Sequence, residues 1–152
     1  VPEAGRIVHQ RREPGAVGMH EPGRVRGRRR LLAELGALAF EVVEVSLAAD
    51  AQRILSEEGV DNAVVVTGKL TDGAAKCAPY DVITVEGGVE VMPDSVLAQL
   101  KDGGRIGAVF MDGAVGTARI GYRIDGSMTW RSVFNAAAPV LPGFRKAQGF
   151  TL

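Results

Sequence analysis

The fold is decided by APYDVITVEGGVEVMPDSVLAQLKDGGRIGAV, residues 78–109. YDVITVEGG (80–88) and GRIGAVFM (104–111) are continuous apolar runs, which is typical of strands buried on both faces of a parallel sheet. Between them Pro93 stands at a favourable helix start, and residues 94–100 have helical composition. The stretch therefore predicts a strand–helix–strand unit.

The same alternation extends upstream. EVVEVS (41–46) predicts a short strand, and NAVVVTG (62–68) predicts a strand covered on both faces. AADAQRILSEE (48–58) between them has helical composition, with Ile54 among the positions expected to face the core. LLAELGALA (31–39) resembles the end of an amphipathic helix.

Further along the chain, apolar side chains recur at every second position. Residues 115–124 and 127–134 alternate between apolar and polar side chains, and Asp125-Gly126 joins them as a strong hairpin signal. The sequence thus predicts an α/β fold, with a mostly parallel sheet, helices on both faces and a C-terminal antiparallel hairpin.

The first thirty residues have a different composition. They contain eight arginines, three glutamates, five glycines and three prolines, without apolar periodicity. Such a segment buries too little apolar surface to offset the entropy of ordering it. We therefore predict a disordered or aberrant segment over 1–30, such as a misread frame, and a folded domain over 31–152.

Several classes of protein are excluded by composition. Lys plus Arg and Asp plus Glu both number 18, which gives no reason to expect nucleic acid or an acidic membrane surface as a partner. A single cysteine, Cys77, excludes a disulfide framework and a multi-cysteine metal site, and favours a cytoplasmic location. No apolar run approaches the roughly 20 residues of a membrane span. The composition predicts no oligomeric state.

Ligands of open parallel sheets bind at the carboxyl ends of the strands. A nucleoside cofactor would find Glu44 or Ser46 at the first of these ends as a ribose acceptor. Lys69 follows the second, and Glu86-Gly87-Gly88 closes the third, where glycines permit close approach because they lack a Cβ.

Residues 78–109 resemble the protein-L-isoaspartate O-methyltransferase family. The similar features are PYD entering a strand, small residues after it, and a proline followed by LAQLKDGGR. GVDNAVVVTGKL (59–70) is similar to the family's third-strand region, and FNAAAPVLPGF (134–144) resembles the ending of a bacterial subgroup. The resemblance covers about residues 31–152.

The resemblance implies a Rossmann-like class I methyltransferase sheet that uses S-adenosylmethionine. The methyl group would go to the α-carboxyl of isoaspartyl residues in damaged proteins or peptides. Glu44 or Ser46 would then contact the ribose, Gly68 and Lys69 the base, and Glu86 with Gly87 would line the end of the fourth strand. No catalytic residue is identified, because a carboxylate is already nucleophilic and needs no strong general base.

The resemblance also implies a first strand that ends in a glycine-rich loop. That loop would fall at GRVRGRRRLLAEL (23–35), where Gly23 and Gly27 stand among arginines with no apolar strand before them. We therefore expect the first strand, at the centre of the sheet, to be missing. The alternative function is a non-catalytic α/β remnant or binding module without cofactor. A nicotinamide-dependent dehydrogenase would need a glycine fingerprint that the sequence lacks.

Overall fold

A computed structural model describes residues 6–12, 37–43 and 45–147. The strands are β1 Arg6–Arg12, β2 Ala37–Val43, β3 Ala63–Thr67, β4 Tyr80–Val89, β5 Leu100–Asp112, β6 Val115–Ile124 and β7 Ser127–Asn135. Helix α1 (Val45–Glu57) joins β2 to β3, and the short helix α2 (Asp94–Leu97) joins β4 to β5. Two 3₁₀ turns, Leu70–Asp72 and Ala75–Cys77, lie between β3 and β4. All seven strands form one sheet in the order β3-β2-β1-β4-β5-β6-β7.

The centre of the sheet is β1, which lies between β2 and β4 and is antiparallel to both. Ile7 lies opposite Val42 on one side and Val85 on the other, and its side chain is fully buried. The expectation of a missing central strand is therefore wrong for residues 6–12. Composition averaged over thirty residues concealed a short stretch, RIVHQRR, that supplies backbone partners to both neighbours. The rest of the segment 1–30 lies outside the described residues.

The sheet is mixed rather than mostly parallel. Four of its six neighbouring strand pairs are antiparallel, and only β2–β3 and β4–β5 are parallel. Apolar periodicity predicts that a strand exists but not its direction, which is why the expectation of a mostly parallel sheet was wrong. Because β2 and β4 are both antiparallel to β1, the four strands β2 to β5 all run in the same direction. Their ends form one edge, which we call the carboxyl edge.

The β2–α1–β3 unit differs from expectation in its boundaries and burial. β2 begins at Ala37, so the helical expectation is wrong for residues 37–39, and residues 31–36 lie outside the described chain. Ile54, expected in the core, is 46% exposed, and Val64 in β3 is 42% exposed. Val64 is exposed because β3 is an edge strand, and Ile54 is exposed because its helix, α1, packs beside that edge strand.

The C-terminal half follows the sequence pattern closely. β4 and the hairpin of β6 and β7 lie where expected, and the N–H of Gly126 in the hairpin turn donates to Asp102 Oδ1 at 3.1 Å. The helix expected over residues 94–100 ends at Leu97 instead. β5 begins early because Leu100 pairs with Tyr80, and a register shift then accommodates the residues before Arg105.

One buried polar side chain organises the chain between β3 and β4. Gln99 is 4% exposed, and its Oε1 accepts the Ala74 N–H at 3.0 Å. Its Nε2 donates to the carbonyls of Asp72 and Ser95, each at 2.8 Å. The amide is therefore satisfied within the core, where an unpaired polar group would be costly.

The core lies between these turns, α2 and the central strands. Its largest fully buried side chains are Tyr80, Phe144, Ile7, Ile83, Leu100, Ile106, Val89 and Val96. Within the ranges given above, no helix has the length and apolarity that crossing a bilayer requires.

Replacing Ile7 by alanine tests the central strand. We expect Ile7→Ala to lower the free energy of unfolding by about 2–5 kcal/mol, since it removes a fully buried branched side chain. Val8→Ala is the matched control, because Val8 is only half-buried in the same strand. Urea unfolding followed by circular dichroism measures both. Equal, small losses in the two variants would contradict the placement of β1.

Candidate functional site

The first predicted position of the carboxyl edge is the junction between β2 and α1. β2 ends at Val43 and α1 begins at Val45, so Ser46 is the second residue of the helix. Glu44 lies outside the described residues. The first N–H groups of a helix have no partner within it, so such a junction offers donors to a polar ligand.

The second predicted position follows β3. Gly68 comes directly after the strand, and a Cβ added there would meet no atom within 4 Å. Lys69 is exposed, whereas the next side chain, Leu70, is buried and anchors the first 3₁₀ turn. The space beside Gly68 is therefore open, and an exposed lysine follows it directly in the chain.

The third predicted position is a bulge near the end of β4. Regular pairing with β5 stops at Thr84 and resumes at Gly88 after a register shift. Glu86 and Gly87 lie in this interruption, and Glu86 is half-buried opposite Arg6 of β1. Bulges re-aim side chains and are common beside functional sites. The predicted residues thus lie at the carboxyl edge, within β4.

The chain that follows β7 returns to this bulge, and we call residues 136–146 the return segment. The Gly88 N–H donates to the Pro139 carbonyl at 2.7 Å, and the Leu141 N–H donates to the Gly88 carbonyl at 2.9 Å. The Phe144 carbonyl accepts two further N–H groups, from Glu90 and Val91. The return segment therefore pairs with the end of β4 as a short parallel addition.

This pairing explains the two glycines. A Cβ on Gly87 would collide with the side chain of Leu141, and one on Gly88 would lie 2.6 Å from the Ala138 carbonyl oxygen. The side that these glycines leave open is thus filled by the protein itself. Sequence reasoning singled out the glycines but placed neither Leu141 nor Phe144 at the site, although both are buried apolar residues in a segment whose other residues are exposed or half-buried.

The carboxyl edge carries polar groups of several kinds. Across the described chain there is no group of three or more His, Cys, Asp or Glu residues that could hold a metal ion. Cys77 is a half-buried free thiol. The edge offers strand-end backbone groups, the exposed Lys69 ammonium and the half-buried Glu86 carboxylate, which suit the orientation of a polar ligand.

Residues 31–112, just over half of the chain, match the sequence model of the family described as Protein-L-isoaspartate(D-aspartate) O-methyltransferase. The chain belongs to this family. The match extends through the end of β5, so it contains all three positions of the carboxyl edge. β1, β6, β7 and the return segment lie outside it.

Individual relatives agree. A protein-L-isoaspartate O-methyltransferase from Syntrophus aciditrophicus is 39% identical over 77 residues, which are 50% of this chain and 35% of the relative. The chain spans about a third of the length of the curated relatives that it matches.

Two solved structures share the fold. A protein-L-isoaspartate O-methyltransferase aligns with a TM-score of 0.61 at 24% identity, covering 67% of this chain and 34% of that one. A putative protein-L-isoaspartate O-methyltransferase from Plasmodium falciparum, in complex with S-adenosyl-L-homocysteine, aligns with a TM-score of 0.55 at 11% identity. It covers 66% of this chain and 51% of that one. At these identities the likeness concerns the fold alone.

Two glycine substitutions test the packing of the third position. We expect Gly87→Ala to lower the free energy of unfolding by about 1–3 kcal/mol, since the new methyl group must displace Leu141. Gly68→Ala is the control, expected to change it by less than about 0.5 kcal/mol because its Cβ enters open space. Chemical denaturation of both variants gives the comparison. A neutral Gly87→Ala would show that the return segment does not pack there.

Proposed function

We propose that this chain provides the cofactor-holding sheet of an S-adenosylmethionine-dependent protein-L-isoaspartate O-methyltransferase. The methyl acceptor would be the α-carboxyl group of isoaspartyl residues in damaged proteins or peptides. The observation that carries the proposal is the family match, because it contains β2 to β5 and with them every predicted position of the carboxyl edge. The cofactor-bound Plasmodium relative supports the choice of ligand.

Gly68 and Gly87 differ in the space that they leave for a nucleoside cofactor at the carboxyl edge. Gly68 leaves open space beside the end of β3, which permits a flat base to approach the backbone. At Gly87 the corresponding space is filled by Leu141. We therefore assign Gly68 and Lys69 to the base, Glu44 or Ser46 to the ribose, and Glu86 with the Gly87 backbone to the border along β4.

The bound cofactor supplies an electrophilic methyl group on a positively charged sulfur atom. The chain's own task is to hold an acceptor carboxylate near that group and to screen the site from water. Positioning of this kind needs no general base.

The setting that we propose is cytoplasmic, with protein or peptide substrates and without a nucleic-acid or membrane partner. The free thiol of Cys77 fits a reducing compartment.

A non-catalytic α/β module without cofactor is the second candidate function, and the direction of β1 favours it. Because β1 is antiparallel to β4, its first residue Arg6 lies at the carboxyl edge and its last residue Arg12 lies opposite Ala37 at the other edge. β1 therefore ends at the edge of the sheet opposite the proposed cofactor. A glycine-rich loop after the first strand, as the resemblance implies, would have to reach the site by another route.

Methyl transfer decides between the two candidates. The 152-residue chain is incubated with radiolabelled S-adenosylmethionine and a peptide that carries one isoaspartyl residue, and the same peptide with ordinary aspartate is the control. We expect base-labile label in the isoaspartyl peptide only, because the acceptor is a carboxylate in that particular position. Binding of S-adenosylhomocysteine without any transfer would support the non-catalytic alternative, and labelling of both peptides would contradict the substrate class.

A pair of lysine variants tests the assignment of the base-binding position. We expect Lys69→Ala to weaken S-adenosylhomocysteine binding about two- to tenfold, the range for losing one polar contact. Lys76→Ala is the matched control, because Lys76 is an equally exposed lysine further along the same connection. Calorimetric titration measures both affinities. Equal affinities for the two variants would remove Lys69 from the site.

A further inference from the structure

The return segment contacts two separate parts of the chain, the end of β4 and the 3₁₀ turn that follows β3. On one side Leu141 fills the space beside Gly87, at the β4 bulge. On the other side a Cβ added to Gly143 would lie 2.7 Å from Thr71 Cγ2, in the 3₁₀ turn shortly after Lys69. The segment therefore links the connection that follows β3 to the end of β4.

The link is held by buried apolar side chains and by backbone pairing. Leu141 is 2% exposed and Phe144 is fully buried in the main core. The polar groups of Gly88 are bonded to Pro139 and Leu141 as described above, so any movement of Gly88 relative to the return segment breaks these bonds. A ligand at the carboxyl edge would thus meet a β4 bulge whose shape is set by residues far away in the sequence.

We propose that Leu141 is a positioning residue for cofactor binding, which acts by fixing the Gly87 backbone in the β4 bulge. The inference rests on the proposed function. It goes beyond the family match, which ends at residue 112 and so leaves out the return segment. Leu141 itself does not touch the cofactor in this scheme, and its effect passes through the bulge that carries Glu86.

The experiment is a double-mutant cycle of Leu141→Ala and Gly87→Ala in the full chain, with Phe134→Ala as the control. Phe134 is 62% exposed on the edge strand β7 and lies outside the return segment. Affinity for S-adenosylhomocysteine is measured by calorimetry at a temperature at which circular dichroism shows every variant to be folded. The melting temperature of each variant is recorded alongside.

We expect each single substitution to weaken binding by about tenfold or more, because a small misplacement of a binding group is costly. The double variant should bind about as weakly as the weaker of the two single variants, with no further multiplied loss, since both substitutions disturb the same contact between Leu141 and Gly87. Phe134→Ala should bind as the unsubstituted chain does.

The contrary outcomes are distinct. If Leu141→Ala lowers only the melting temperature and the folded variant binds normally, Leu141 is merely structural and the inference is wrong while the proposed function stands. If the two losses multiply in the double variant, to about a hundredfold or more, the substitutions act independently and positioning by Leu141 through Gly87 is again excluded. Absence of binding by the unsubstituted chain overturns both the proposed function and this inference.

Discussion

β1 pairs with β2 on one side and β4 on the other, and the two halves of the sheet meet through it. Without β1, both neighbours would present rows of unpaired N–H and C=O groups in the middle of the sheet. Each such group costs about 1–3 kcal/mol when it is buried without a partner. Successive side chains of β1 differ in burial, since Ile7 lies in the core while the next side chain, Val8, is half-buried. A stretch of seven residues thus joins β2, α1 and β3 to the larger C-terminal part of the sheet.

The antiparallel direction of β1 determines both the direction of its neighbours and the edge of the sheet at which β1 ends. β2 to β5 all run in one direction, because two strands that are each antiparallel to the strand between them are parallel to each other. The carboxyl edge therefore remains intact, and Ser46, Gly68 and Glu86 all lie along it. The connection after β1, however, leaves from Arg12 at the opposite edge. The chain that follows β1 therefore starts at the edge of the sheet opposite Ser46, Gly68 and Glu86.

Local patterns in the sequence were sufficient for β3, β4, the later part of β5 and the Asp125–Gly126 hairpin, since each depends on apolar periodicity and turn chemistry over about ten residues. Gly68 does follow the end of β3, as the pattern predicted, whereas Glu86 lies in a bulge before the end of β4. The central strand was missed because seven residues were averaged into an arginine-rich composition. Strand direction and the burial of Ile54 were missed for another reason. Both depend on which element lies alongside, and periodicity within one segment carries no information about that.

Gly87 and Gly88 show how one motif can have two physical explanations. Their lack of side chains was interpreted as room for a cofactor, yet the room is taken by Leu141 and by the Ala138 carbonyl. The glycines lie within the family match, whereas the residues that require them lie after its end. The motif and the return segment therefore have to be considered together. Any ligand that borders β4 binds to a surface formed by both, so the carboxyl edge depends on the C-terminal residues of this chain as well as on the matched domain.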